Sequence, residues 1–197
     1  MLLFCYGSNH PEQLSQRLGR PVRGEPAYLA GWGRTFRGHS ARWGGAVANV
    51  EPDLARTVYG YVTPVREADL ATLDLAEGVS LGLYRREYLA VDVRDARGRD
   101  TPREAVAYVR AARPARDPRG APSMAYLEAV ARTVGEFWRN ADGSAVTPAD
   151  LVVPVASPEP RAARNARSGL GGFLAGIWFC SPEHMPPRPR GGDRDIY

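Results

Sequence analysis

Strand-like and helix-like stretches follow one another in this chain without regular alternation, and that order limits the fold more than any single motif does. Residues 2–5 form a short apolar run that stops at Gly7-Ser8-Asn9, the pattern of a buried strand ending in a polar turn. A helix to about Leu18 follows, with Asn9 as its expected N-cap, Pro11 in the first turn and Glu12 complementing the dipole. Residues 28–32 read as a strand, 36–45 as loop, and 46–50 with 57–62 as two strands joined by a turn around Pro52-Asp53. Thr63-Pro64 and Glu67 open a second helix that Gly78 closes. Strands are predicted at 84–93 and 105–109 about a turn at Arg97-Gly98, then a proline-rich loop at 114–122. Met124, Leu127, Ala131, Val134 and Trp138 define the clearest amphipathic helix. Without strand–helix alternation a doubly wound parallel sheet is excluded, which leaves an α+β fold or a small barrel.

The length of 197 residues, 44% of them hydrophobic, suits one domain with an appended tail. The expected domain is 1–150. From 151 to 197 short apolar pieces alternate with Pro, Ser and Gly, around one compact apolar run at 173–179, and the basic stretch 188–194 reads as a disordered arm.

All 26 basic residues are arginine, so no Schiff-base lysine, pyridoxal phosphate anchor or P-loop lysine exists here. Much Ala, Arg, Gly and Pro with few Ile points to the coding bias of a GC-rich, bacterial genome. The net charge of +4 arises from arginines interspersed with 22 acidic residues, a solvated surface and not a nucleic-acid footprint. Cys5 and Cys180 make no disulfide framework, and the N-terminus has neither a basic n-region nor a long apolar run, so a cytoplasmic chain with no membrane span is expected.

Few groups suit catalysis. His10, His39 and His184 are scattered at no metal-ligand spacing, so no metal is expected. Gly169, Gly171 and Gly172 follow no convincing strand, Ser8 stands in no nucleophile elbow, and Cys5 in an apolar strand reads as core. Glu77 differs, because helical spacing sets it on the stripe of Leu70 and Leu73. Burial there, next to the negative helix end, predicts a raised pKa and hence a general base near neutral pH. A helix frayed at Ala76, with Glu77 in solvent, fits the periodicity equally well. The Tyr6-Gly7-Ser8-Asn9 turn presents backbone N–H groups suited to an anion, or is an ordinary strand-to-helix turn. Tyr126, offset from the apolar stripe of its helix, points to a cleft or to core.

Three groups of residues carry a resemblance. Phe4-Cys5-Tyr6-Gly7-Ser8-Asn9, then Leu73-Asp74-Leu75-Ala76-Glu77-Gly78-Val79, then Gly82-Leu83-Tyr84, resemble the gamma-glutamylcyclotransferase family in order and separation. Trp43-Gly44-Gly45-Ala46-Val47-Ala48, Val58-Tyr59-Gly60-Tyr61-Val62 and Pro122-Ser123-Met124-Ala125-Tyr126 resemble its strands and substrate-facing segment, so the likeness covers roughly residues 2–138. It implies a small, mostly antiparallel β-barrel flanked by helices, and release of 5-oxoproline from gamma-glutamyl compounds without metal or cofactor. Carried over by position, Glu77 would be the proton acceptor. Phe4, Cys5, Tyr6, Gly7, Ser8 and Asn9 would bind the gamma-glutamyl group, and Tyr84 and Tyr126 would contact the substrate. His10 departs from the aliphatic residue usual there, and the extension after about Leu151 matches nothing in the family pattern.

The expected partner is a small gamma-glutamyl compound, with no nucleic acid and no membrane. A homodimer is compatible with the sequence, which fixes neither the oligomeric state nor the leaving amine. Two other readings stay open: a tailoring enzyme that removes a gamma-glutamyl protecting group from a biosynthetic intermediate, and a non-catalytic binding module on the same fold.

Overall fold

Two long strands where four short segments were expected dominate the sheet. The computed structural model describes residues 1–111 and 118–152. In chain order the elements are β1 (Leu2–Cys5), α1 (Pro11–Leu18), β2 (Glu25–Ser40), β3 (Gly45–Pro64), α2 (Glu67–Glu77), β4 (Tyr84–Arg94), β5 (Asp100–Arg110), α3 (Met124–Gly135) and α4 (Pro148–Val152). The strands close a barrel in the order β1-β3-β2-β4-β5. Neighbours run antiparallel except where β5 returns to β1, with Leu3 opposite Val106 in parallel. The α+β barrel expected from the sequence is the fold of this chain.

Two local expectations are corrected in β2 and β3. The presumed loop at 36–45 is mostly strand, since β2 continues to Ser40 and only the turn at 41–44 separates it from β3. Nor does the chain turn at Pro52-Asp53. Pro52 lies opposite Trp32 beside a register shift between Ala30 and Trp32, where Gly31 has φ of +80°. This is a bulge, one of the few sheet positions that accept a proline. The turn residues were real signals of irregularity within one continuous hairpin.

Two apolar clusters occupy the two faces of the short first strand, as a period of two requires. Leu3 and Cys5 meet Leu14 of α1 and Leu70 and Leu73 of α2. Phe4 and Tyr6 join the cluster covered by Leu127, Val130 and Val134 of α3. Strand β5 alternates likewise, with Val106 and Tyr108 in the first cluster and Ala105, Ala107 and Val109 in the second.

Helix ends differ in detail from expectation. His10, not Asn9, is the N-cap of α1, its Nδ1 accepting the Glu12 N–H at 3.3 Å, because the Asn9 side chain is engaged elsewhere. Helix α2 is closed by the left-handed Gly78, as expected, and α3 is capped by Ser123, which accepts the Tyr126 N–H. Helix α3 stops at Gly135, so Trp138 is buried from beyond its end, and Met124 is exposed at its start. Leu151 of α4 packs into the second cluster. The rest of the expected extension, with the apolar run, Cys180, His184 and the glycines near 170, lies outside the described residues, as do residues 114–117 of the loop expected at 114–122. Among the described residues no helix is long and apolar enough to cross a membrane.

Candidate active site

Strand β1, α2 and the β2–β3 turn converge on one cavity of about 380 Å³. All nine residues singled out from the sequence, Phe4 to Asn9 with Glu77, Tyr84 and Tyr126, border it. They reach it from four elements and one turn.

Glu77 is the last residue of α2, and the stripe begun by buried Leu70 and Leu73 carries it inward. The frayed-helix alternative fails, since the Glu77 side chain is only 15% exposed. Its Oε1 accepts a hydrogen bond from Asn9 Nδ2 at 2.9 Å. Burial pushes the carboxyl above its ordinary value, while the Asn9 bond and the Arg17 charge pull the other way.

Arg17 fixes how Asn9 is turned. Its Nη1 donates to Asn9 Oδ1 at 2.9 Å and stands 4.0 Å from Glu77 Oε1. A cation must face the amide oxygen, so the Asn9 NH₂ faces the carboxylate and the order Arg17, Asn9, Glu77 admits one polarity. The Tyr61 hydroxyl donates to the Asn9 carbonyl at 2.6 Å and holds the turn from below. Asn9, expected as a cap, is thus a linker between two helices.

The turn itself is pinned by Arg34 of β2. Arg34 Nη2 donates to the carbonyls of Tyr6 at 3.1 Å and Tyr59 at 2.8 Å, its Nε is unpartnered, and burial lowers its pKa to about 10. A trans peptide sets N–H opposite C=O, so fixing the Tyr6 carbonyl on Arg34 turns the Gly7 N–H away from it. A Cβ on Gly7 would lie 3.4 Å from the Tyr126 hydroxyl, so the missing side chain lets that hydroxyl sit against the turn.

Tyr126 is 4% exposed and belongs to the wall, resolving the choice between cleft and core in favour of both. Its hydroxyl accepts the Ala48 N–H at 2.9 Å, and the Tyr84 hydroxyl donates to the Ala48 carbonyl at 3.3 Å. Burial raises the pKa of Tyr6, Tyr84 and Tyr126, so all three remain neutral hydroxyls near neutral pH. Burial likewise pushes the Cys5 thiol to about 12, which makes it a wall residue and no nucleophile. Among the described residues no three His, Cys, Asp or Glu side chains are grouped to hold a metal ion.

A family model described as gamma-glutamyl cyclotransferase, AIG2-like, matches residues 3–128, the barrel and the whole cavity wall. The chain belongs to the gamma-glutamyl cyclotransferase, AIG2-like family. Solved structures agree at the level of fold. A protein titled gamma-glutamyl cyclotransferase, with 23% identity and a TM-score of 0.59, matches over 69% of this chain and 79% of its own. An uncharacterized protein from Homo sapiens, 22% identical with a TM-score of 0.60, matches over 72% of this chain and 82% of its own. YkqA from Bacillus subtilis, 20% identical with a TM-score of 0.53, matches over 73% of this chain and 51% of its own. No curated protein matches the sequence significantly.

Sequence reasoning missed Arg17, Arg34, Arg42 and Arg110 within this cyclotransferase-family site. Each had been read as part of a general arginine excess. Arg17 sits in the last turn of α1 and reaches back to Asn9, which precedes the helix, a contact that helical spacing alone does not mark.

Proposed function

We propose that this chain is a gamma-glutamylcyclotransferase-like enzyme that closes a gamma-glutamyl amide onto itself, releasing 5-oxoproline and a free amine or amino acid. The observation that carries the proposal is the buried Glu77 carboxylate held against Asn9 at the cavity edge, facing a turn whose peptide orientation is fixed. In a gamma-glutamyl amide the substrate's own α-amine attacks the side-chain carbonyl and forms a five-membered ring. The nucleophile is intramolecular and its effective molarity is high. Such chemistry asks the protein for a base and for donors, not for a nucleophile.

Glu77 takes the proton from the α-ammonium as the C–N bond of the ring forms. It returns a proton to the departing nitrogen as the amide bond breaks. Its raised pKa suits both steps. The N–H groups of the turn, led by Gly7, face the substrate carboxylate and the developing oxyanion. Polarisation of the Tyr6–Gly7 peptide by the Arg34 cation strengthens that donor.

The test is 5-oxoproline release from gamma-glutamyl amino acids, glutathione and gamma-glutamyl amines. Release from any member supports the assignment, and silence across the panel from a folded protein overturns it. A second expectation concerns pH. Arg17→Met removes a cation and the orienting donor of Asn9, both of which lower the Glu77 pKa, so the acid limb of kcat/KM against pH moves upward. Tyr84, Tyr126, Tyr6 and Cys5 also face Glu77, but all stay neutral in that range. An acid limb in the same place in Arg17→Met and wild type would refute Arg17's part in setting the base.

A further inference from the structure

Asn9 holds Glu77 and is itself held from behind. The residue after it, His10, has each of its polar groups engaged. Its N–H donates to the Ser8 carbonyl at 2.9 Å, and its carbonyl accepts the Leu14 N–H at 3.0 Å as α1 begins. Its Nδ1 accepts the Glu12 N–H at 3.3 Å. A neutral imidazole that accepts at Nδ1 carries its proton on Nε2. That nitrogen lies 2.6 Å from Oε2 of Glu136, so the proton is donated to a carboxylate and the ring is fixed in both tautomer and direction.

Glu136 opens a short segment that braces this corner from the end of α3. The next residue, Phe137, stacks on the Tyr61 ring at 4.7 Å and 22°, and the hydroxyl of that ring holds the Asn9 carbonyl. Gly24 lies against both rings, where a Cβ would come within 2.5 Å of Tyr61 and 2.6 Å of Phe137. Trp138 follows, tied to the Gly60 carbonyl. One turn earlier in α3, Arg132 pairs with Glu12 at 2.9 Å across the same junction. Consecutive residues thus hold consecutive residues: Glu136 holds His10, and Phe137 holds Asn9 through Tyr61. The Glu136 side chain is 43% exposed, so its pair with His10 adds little to stability. What the pair does supply is a fixed place for the start of α1, and so for the residue just before it.

We infer that His10 is a positioning residue for the general base: anchored on Glu136, it fixes the junction between the turn and α1 so that Asn9 Nδ2 stays on the Glu77 carboxylate. The inference rests on the cyclotransferase reading of the site. Neither His10 nor Glu136 borders the cavity, so both act through Asn9 and touch no reacting atom. The Asn9 hydrogen bond stabilises ionised Glu77, and a loosened Asn9 gives that stabilisation up. The other titratable groups facing Glu77 are Cys5, Tyr6, Tyr84 and Tyr126, which stay neutral, and Arg17, which neither substitution below replaces.

Two substitutions break the anchor from opposite sides and spare the fold. His10→Asn keeps a capping side-chain oxygen for α1 but is too short to replace the imidazole on Glu136. Glu136→Ala leaves His10 and its cap in place and removes the carboxylate. In each, we expect the acid limb of kcat/KM against pH to move upward by roughly half a unit, which is about a threefold loss on the acid side of the profile, with urea midpoints close to wild type. The double variant should shift no further than either single one, because both remove one contact. An acid limb that stays in place or moves downward in either variant, or two shifts that add in full, overturns the inference and leaves the cyclotransferase reading standing. No 5-oxoproline from folded wild-type protein with gamma-glutamyl amino acids, glutathione or gamma-glutamyl amines overturns both.

Discussion

Glu77→Gln is expected to lower turnover of a gamma-glutamyl substrate by about two orders of magnitude or more, the scale of a lost general base. KM should change little, because the amide keeps the carboxylate's shape and its Oε1 can still accept the Asn9 Nδ2 proton. Stability should not fall. The folded-state pKa of Glu77 is raised, so the folded protein binds this proton more tightly than the unfolded chain does. Stability from that proton is fully present below the unfolded carboxylate value and is lost as pH rises through the folded value. At neutral pH the ionised Glu77 therefore opposes folding, and a neutral glutamine removes the opposition. Denaturant midpoints of wild type and Glu77→Gln should thus separate in favour of the variant at pH 7 and converge in acid. Single-turnover rates and midpoints on the same preparations check both halves, and an undiminished rate would end the assignment of Glu77 as base.

The base was legible because three local rules agreed on one residue: helical spacing from Leu70 and Leu73, a glycine terminator at Gly78, and a carboxylate where the stripe called for an apolar residue. The same agreement made β1, the β4–β5 hairpin and the core face of α3 readable. Where rules conflicted, the reading failed. The glycine, arginine and tryptophan content of residues 36–45 spoke for loop, yet pairing with β3 from Arg34–Val50 to Ser40–Gly45 carries the strand on to Ser40. Pro52 spoke for a turn and marks a bulge. Asn9 has the best capping chemistry in its turn, but Arg17 and Glu77 compete for its side chain and win, leaving the cap to His10. Arg34 and Arg42 could not be distinguished from other arginines by sequence, since what marks Arg34 is burial against the Tyr6 and Tyr59 carbonyls and what marks Arg42 is its place over the Trp43 ring, both properties of the assembled barrel.

Gly60→Ala is expected to be among the most destabilising single-methyl additions in the barrel, costing at least about 3 kcal/mol. The Cβ would lie 2.2 Å from the Cys5 carbonyl oxygen and 3.0 Å from the carbonyl carbon. Backbone is what it meets, so no rotamer change relieves the clash. Strand β1 would have to shift, and its ladder with β3 pairs Cys5 with Tyr61 and Phe4 with Val62 immediately beside the collision. The Gly60 carbonyl also accepts the buried Trp138 Nε1–H at 2.6 Å, which ties the chain beyond α3 to the same point. Gly98→Ala supplies the contrast: it has open space around it but φ of +75°, so its cost is only the left-handed backbone penalty of about 1–2 kcal/mol. Urea midpoints for the two variants should order Gly60→Ala well below Gly98→Ala, and equal midpoints would contradict the contact between β3 and β1. Activity carries the same argument into the site. The Tyr6–Gly7 peptide begins one residue past the colliding Cys5 carbonyl, so any Gly60→Ala protein that still folds must do so with β1 displaced, and with it the donor that the proposed chemistry aims at the oxyanion.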